Sequence, residues 1–225
     1  IYALGNLYIA DSGEIKNIAG NGVTEGLQGT LISDINDLTI TNITSKEDIA
    51  RGMRLYEQRG NSSYADFGTL TIKEITGATK AEGLVITAGT GQDGVSPITI
   101  GQLNINNIKA TNENGIENGL SVATSALSIT GSANITTDVI SNTYDGAFTA
   151  DPTVHNVNSA AIRVMEGGEV YMNGVNGNNE GTYNIDGTIV VGNGSATDDP
   201  NVAAGKLTIG GSQTVIRGDV YSGNG

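Results

Sequence analysis

Apolar side chains alternate with polar ones in short triplets that recur along the chain. The first residues of four triplets are 31, 32 and 33 positions apart (38 − 7, 70 − 38 and 103 − 70). The triplets are Leu7-Tyr8-Ile9, Leu38-Thr39-Ile40, Leu70-Thr71-Ile72 and Leu103-Asn104-Ile105. Such alternation predicts a short strand with one buried face. We therefore expect a repeating unit built from strands.

Two further signals recur within each unit. An isoleucine follows the last three triplets by three positions, as Ile43 follows Ile40, and it is out of phase with the alternation. The chain must therefore bend between the two. A glycine followed by apolar residues then predicts another strand. These segments are Gly26-Leu27, Gly52-Met53 with Leu55, Gly83-Leu84 with Ile86, and Gly119-Leu120 with Val122.

A unit of two or three short strands cannot bury its own inner face. It becomes stable only when the next unit stacks on it, strand upon strand, at about 4.8 Å. The predicted fold class is therefore all-β: a parallel β-helix, or β-solenoid, which we expect to be right-handed and to carry protruding loops. Roughly eight coils would give a rod on the order of 40 Å long.

The pattern changes in the second half of the chain. Leu127-Ser128-Ile129 continues the triplets, but the segment around Pro152 shows no alternation and predicts a loop. Later units start at Ile162, Tyr183 and Leu207, only 21 and 24 residues apart (183 − 162 and 207 − 183). We expect one continuous solenoid, cut from a longer chain. Its predicted parts are 1–140 with longer coils of 31–33 residues, 141–158 as a loop excursion, and 159–225 with shorter, more regular coils.

Composition narrows the possible functions. The net charge of −13 repels phosphate backbones and anionic lipid, so we expect no nucleic-acid partner. No apolar stretch approaches the about 20 residues that span a bilayer, so we expect no direct membrane insertion of this segment. The absence of cysteine excludes disulfides and thiolate metal sites.

Two short motifs resemble enzyme signatures. Gly89–Gly94 matches the G-x-G-x-x-G fingerprint, but alternating residues after Pro97 follow it instead of the helix that a dinucleotide site needs. The segment "ADSGE" at 10–14 resembles the nucleophile motif of chymotrypsin-like proteases. It has Ala10 where that motif has glycine, and the chain has one histidine, His155. We interpret both motifs as turns.

The acidic residues do not form a recognisable catalytic pattern. They are scattered through segments that we predict to be turns, and none forms an Asp-x-Asp on a strand. The pairs are Asp34 with Asp37, Glu47 with Asp48, and Asp198 with Asp199. We predict no enzymatic activity, no metal and no cofactor. A polysaccharide-cleaving β-helix stays as the alternative hypothesis, because two carboxylates from different coils could still meet.

One cluster suggests a binding site. Arg51, Arg54 and Arg59 lie within nine positions and are accompanied by Tyr56 and Tyr64. Guanidinium groups and aromatic faces suit sulfated or acidic sugars, through bidentate contacts and stacking. We predict these five residues as a candidate ligand-binding site. The alternative interpretation is that the arginines flank a strand and are neutralised by neighbouring acids.

The chain resembles the passenger domains of Gram-negative autotransporters, the type V secretion proteins of the AIDA-type adhesin class. The resemblance rests on the stacked triplets, the absence of cysteine, and the segments "AIRVMEGGEVYMNG", "GTIVVGNGS" and "KLTIGGSQTVIRGDVYSGNG". It covers most of the chain. It implies a bacterial cell-surface location, with anchoring by an outer-membrane β-barrel outside this segment. The longer coils depart from the compact coils of that family, which places specific binding on outward loops.

Together these observations predict a non-enzymatic adhesin segment. The predicted partner is a host glycan or extracellular matrix protein, or the same domain on another cell, which would produce aggregation and biofilm. Such a surface protein would contribute to virulence. Outward Asn and Thr ladders suit self-association, whereas the arginine cluster suits a glycan. A passive stalk is a third hypothesis.

Overall fold

The chain folds as a parallel β-solenoid, which confirms the predicted fold class. The computed structural model describes residues 1–3, 7–29, 34–56, 65–87, 98–113, 115–137, 159–165, 167–174, 177–192 and 205–222. All regular elements in these ranges are strands, numbered β1 to β17 in chain order, and they form two parallel sheets. Within these ranges no helix has the length and apolar character to cross a membrane.

Eight strands form sheet A, stacked in chain order from one end of the solenoid to the other. They are β1 (Tyr2–Ala3), β3 (Thr24–Gly29), β5 (Ile49–Tyr56), β7 (Lys80–Thr87), β9 (Ile116–Ala123), β11 (Ser159–Met165), β14 (Ile189–Val191) and β17 (Val220–Ser222). These eight rungs agree with the number of coils expected from the sequence.

Nine strands form sheet B, and the long ones extend around a bend. They are β2 (Ile9–Gly20), β4 (Ile35–Ser45), β6 (Asp66–Gly77), β8 (Ile98–Ala110), β10 (Ala126–Thr136), β12 (Glu169–Met172), β13 (Thr182–Asp186), β15 (Lys206–Ile209) and β16 (Gln213–Arg217). Strand β10 pairs with both β12 and β13, so one long strand is followed by two short ones in the next coil.

The core lies between the two sheets and consists of vertical ladders of aliphatic side chains. In sheet A one buried ladder contains Leu27, Met53, Leu84, Leu120, Ile162 and Ile189. In sheet B another contains Ile40, Ile72, Ile105, Ile135 and Ile185. Each coil thus covers the apolar face of its neighbour, which is the stacking that a single coil requires for stability.

The bend predicted after the last three triplets is present, and a matching bend follows Ile15 in the first coil. Asn17, Asn42 and Asn107 have positive φ values of 57°, 56° and 54°, in the left-handed region that asparagine tolerates better than most residues. After the bend the next isoleucine returns to the core, as Ile43 does. The Asn42 side-chain amide also donates a hydrogen bond of 2.6 Å to Asn17 Oδ1, which links two coils.

Glu74 occupies the corresponding bend in β6 with a φ of 58°. Replacing Glu74 with asparagine should raise the free energy of unfolding by about 1 kcal/mol, because asparagine is less strained than glutamate at a positive φ. Urea denaturation measures the change. Glu113→Asn is the control, since it removes the same charge at an exposed residue without a positive φ. Equal effects of both substitutions would contradict this explanation.

The predicted register of the first triplet is wrong. Ile9 pairs with Ile35, and the residue that pairs with Ile40 is Ile15. Gly13 pairs with Leu38 and interrupts the leucine column at this end. The physical reason is that each coil contains more than one apolar-x-apolar segment, so alternation alone does not distinguish them.

Leu127-Ser128-Ile129 is displaced in the same way. It pairs with Ile98-Thr99-Ile100, while Ala133 and Ile135 continue the column above Leu103 and Ile105. A register shift between Ile129 and Ser132 accompanies this change. The triplet therefore belongs to the segment before the bend, and its prediction as the next copy of Leu103-Asn104-Ile105 is wrong.

The later unit starts belong to different sheets. Ile162 is in sheet A, whereas Tyr183 and Leu207 are in sheet B. In register, Ile162 pairs with Ile189 and Ile189 with Val220, separations of 27 and 31 residues (189 − 162 and 220 − 189). The division of the solenoid around residues 141–158 stays a prediction, since that segment lies outside the described residues.

Two segments that the sequence predicted to be turns lie in strands. The segment at 10–14 lies within strand β2, so its prediction as a turn is wrong. Asp37 likewise lies in β4. Pairing between β2 and β4 accounts for both, because Ser12 is in register with Asp37 and paired backbones hold polar residues in an extended conformation. The motif Gly89–Gly94, the pair at 198–199 and His155 lie outside the described residues.

Candidate functional site

The outer face of sheet A carries a ladder of charged side chains. Arg51 in β5 pairs with Glu25 in β3 on one side and with Glu82 in β7 on the other. Arg51 Nη1 lies 2.7 Å from Glu25 Oε1, and Arg51 Nε lies 2.6 Å from Glu82 Oε2. The Arg51 side chain is only 14% exposed. Its two charged hydrogen bonds thus tie three successive coils together.

The ladder continues through an amide to a second arginine. Asn118 in β9 is directly in register with Glu82, and its Nδ2 donates to Glu82 Oε1 at 3.4 Å. Arg163 Nε in β11 donates to Asn118 Oδ1 at 2.9 Å. Burial lowers the pKa of Arg163, although the Glu82 charge acts in the opposite direction. We call Glu25, Arg51, Glu82, Asn118 and Arg163 the charged ladder.

Glu82 also has a contact outside the charged ladder. Its carboxylate also forms an ion pair with Lys80 Nζ at 2.7 Å, and only 3% of its side chain is exposed. Burial by itself raises the pKa of Glu82, but Lys80 and Arg51 outweigh that effect and hold it below its ordinary value. Glu82 therefore remains ionised in a nearly water-free position.

The structure brings three of the five predicted site residues together on β5. Arg54 Nη1 lies 3.8 Å from Glu25 Oε1, and the Arg54 guanidinium lies 5.3 Å from the centre of the Tyr56 ring. Tyr56 donates a 2.8 Å hydrogen bond to the Tyr2 hydroxyl, which raises the pKa of Tyr56. The other two residues, Arg59 and Tyr64, lie outside the described residues.

Sequence reasoning missed the acidic partners of Arg51. The acids predicted to offset its charge were Glu47, Asp48 and Glu57. Glu47 and Asp48 do not pair with it, Glu57 lies outside the described residues, and its partners are 26 and 31 residues away. The sequence nevertheless contained a pattern that could have identified these partners. Glu25, Arg51 and Glu82 each precede the inward apolar residue of their strand by two positions. Aligning the strands on those apolar residues would have aligned the charges.

The outer face of sheet B before the bend at Glu74 and Asn107 has a different chemistry. Two outward residues from each of β6, β8, β10 and β13 form two parallel rows of hydroxyl and amide groups. We call this the amide–hydroxyl face, and it consists of Thr69, Thr71, Gln102, Asn104, Ser132, Asn134, Thr182 and Asn184. Hydrogen bonds along the rows include Asn184 Nδ2 to Asn134 Oδ1 at 2.9 Å. None of the eight residues is charged, although the chain contains 24 acidic residues.

A shallow groove lies at the end of the solenoid nearer the N-terminus. Its volume is about 310 Å³, and its polar lining includes Tyr8, Asp34, Asn36 and Asp66. Asp34 and Asp66 come from neighbouring coils, which is the kind of arrangement that the polysaccharide-cleaving alternative requires. Among the described residues that line the groove there is no lysine or arginine.

In the described ranges, no group of three or more His, Cys, Asp or Glu residues is arranged to hold a metal ion. The chemical features of these surfaces are thus the charged ladder, the amide–hydroxyl face and the groove. No protein-family model, no curated protein and no solved structure matches this chain.

Proposed function

We propose that this chain is a non-enzymatic adhesin segment that joins to a second copy of itself through the amide–hydroxyl face. The observation that carries the proposal is that none of its eight residues is charged in a chain of net charge −13. At one end of the face the Arg217 guanidinium donates to Asn184 Oδ1 at 2.9 Å. Two copies repel each other over most of their surfaces. The amide–hydroxyl face is where they can approach while exchanging hydrogen bonds between side chains that both donate and accept.

The proposed contact is weak and acts through repetition. Four rungs at about 4.8 Å, each two side chains wide, give a face on the order of 200 Å², compared with about 800 Å² per partner in stable complexes. A single pair of copies therefore binds poorly. Surfaces that display many copies gain avidity from simultaneous contacts, which suits adhesion between cells.

Protein-coated beads test this proposal. Beads coated with the wild-type chain should clump, and Thr71→Glu with Asn104→Glu should abolish clumping because it places like charges in the centre of the contact. The matched control is Thr44→Glu with Thr76→Glu, which adds the same charge beyond the bend of sheet B. Wild-type beads that stay dispersed, or equal clumping by all three proteins, would refute the proposal.

A host glycan is the second candidate partner, supported by Arg54 and Tyr56. The Arg54 side chain is 36% exposed and lies over an aromatic ring, an arrangement that can hold a sulfated sugar. Arg51 is less suited because its donors already bind two carboxylates. Arg54→Glu should reduce salt-sensitive binding to heparin while bead clumping persists. Unchanged heparin binding would exclude this site.

The surface location and the outer-membrane anchor belong to the same proposal and rest on the autotransporter resemblance. Polysaccharide cleavage is the alternative, supported by Asp34 and Asp66 in the groove. If the chain cleaves polysaccharide, incubation with an acidic polysaccharide should release reducing ends. Asp66→Asn should abolish that release. A chain that neither clumps beads, binds heparin nor cleaves polysaccharide would act as a passive stalk.

A further inference from the structure

Two side chains converge on one carboxylate oxygen, one from the same strand and one from the next coil. Glu82 Oε1 lies 2.7 Å from Lys80 Nζ and 3.4 Å from Asn118 Nδ2. The amine and the amide nitrogen are therefore both within hydrogen-bond reach of the same atom. The orientation of the Asn118 amide follows from its partners, because Nδ2 faces a carboxylate and Oδ1 accepts from the Arg163 guanidinium at 2.9 Å.

We propose that Lys80 and Asn118 join in an intramolecular amide bond that links β7 to β9. Each neighbouring group has a defined part in the reaction. Lys80 Nζ is the nucleophile and the Asn118 side-chain carbonyl carbon is the electrophile. Glu82 carries the proton between the two nitrogens. Arg163 stabilises the negative charge that develops on Asn118 Oδ1.

The reaction needs no external reagent. In the small fraction of molecules in which the Lys80 ammonium has transferred a proton to Glu82, the free amine attacks the carbonyl carbon of Asn118. The C–Nδ2 bond then breaks as Nδ2 takes up protons, and ammonium leaves. One ammonium is consumed and one is released, so atoms and charge balance. At the end of the reaction Glu82 is again a carboxylate.

The surroundings favour this reaction over hydrolysis. Asn118 is only 2% exposed, which keeps water away from its carbonyl carbon. Lys80 is 29% exposed, which leaves a path by which ammonium can reach solvent. Strand pairing places Lys80 beside Ile116 and Glu82 beside Asn118, so the Lys80 and Asn118 side chains leave neighbouring strands and both reach Glu82.

Mass spectrometry of the purified chain tests the proposal. The intact mass should be about 17 Da below that of the sequence, the mass of ammonia. Tryptic digestion should yield a branched peptide that joins Lys80 to Asn118, with no cleavage after Lys80. A chain that keeps the full sequence mass after prolonged incubation at neutral pH would overturn the proposal.

A control is needed because Asn118 precedes Gly119, and cyclisation of this pair to a succinimide would lose the same mass. Lys80→Arg retains the positive charge beside Glu82 but should abolish the mass loss. Lys73→Arg, on the outer side of sheet B, should leave the loss unchanged. A loss that persists in Lys80→Arg would identify a succinimide and overturn the amide bond.

Discussion

Replacing Gly83 with alanine is expected to lower the free energy of unfolding by about 3 kcal/mol. A Cβ atom at this position would lie 2.5 Å from the carbonyl oxygen of Gly119 and 2.8 Å from Ile105 Cγ2. The oxygen belongs to the backbone of the next coil and cannot move without disturbing the strand pairing. The clash could be relieved by moving β7 away from β9. That movement would expose the apolar side chains of both coils to water, so the strain remains.

The same close approach recurs in successive coils of sheet A. Cβ atoms at Gly26, Gly52 and Gly119 would also lie within 2.8 Å of a carbonyl oxygen in the following coil. Gly22→Ala is the matched control, because a Cβ there would meet nothing within 4 Å. Its effect should stay within about 0.5 kcal/mol. Urea denaturation compares the two variants, and similar losses would contradict the close-packing explanation.

Arg51→Met should also lower the free energy of unfolding by about 3 kcal/mol. Methionine preserves the apolar stem of the side chain but removes the charge between Glu25 and Glu82. In the chain before the proposed amide bond forms, Glu82 would then retain its ion pair with Lys80 and the more distant charge of Arg163, at a site that is 3% exposed. Chemical denaturation at neutral pH measures the loss. Lys16→Met is the control, since the Lys16–Glu14 pair is about half exposed and should contribute little.

The effect of Arg51→Met should depend on pH in a defined direction. The pKa of Glu82 is lowered in the folded chain, so its ion pairs stabilise the fold fully above the ordinary glutamate pKa of about 4.3. That stability is lost as the pH falls through the lower pKa of the folded state. The difference in the free energy of unfolding between the wild-type chain and Arg51→Met should therefore become smaller below about pH 4. A difference in the free energy of unfolding that becomes larger in acid would contradict the ion-pair explanation.

The sequence predicted the fold where consecutive coils repeat almost residue for residue. Leu38, Leu70 and Leu103 are in register as predicted, because the same alternation and the same bend follow each of them. The prediction failed at Ile9 and Leu127, where the chain offers a second alternating segment in the same coil. Only pairing with a neighbouring strand distinguishes such segments, and that information is not local in sequence.

The candidate site was only partly predictable for a related reason. Arg51, Arg54 and Tyr56 are close in the chain, so their clustering was visible. The partners that determine their chemistry come from other coils, as Glu82 does 31 residues away. Stacking converts an apparent basic patch into a neutralised ladder. The uncharged rows of sheet B became visible as one surface only once the register was known.

The most direct test of the proposed self-association uses the absence of cysteine from the chain. Asn104→Cys places a single thiol in the amide–hydroxyl face, and Thr76→Cys places one beyond the bend. Disulfide-linked dimer formation under mild oxidation is followed on non-reducing gels. The proposal predicts much faster dimer formation by Asn104→Cys than by Thr76→Cys. Equal rates would show that the two copies do not meet through this face.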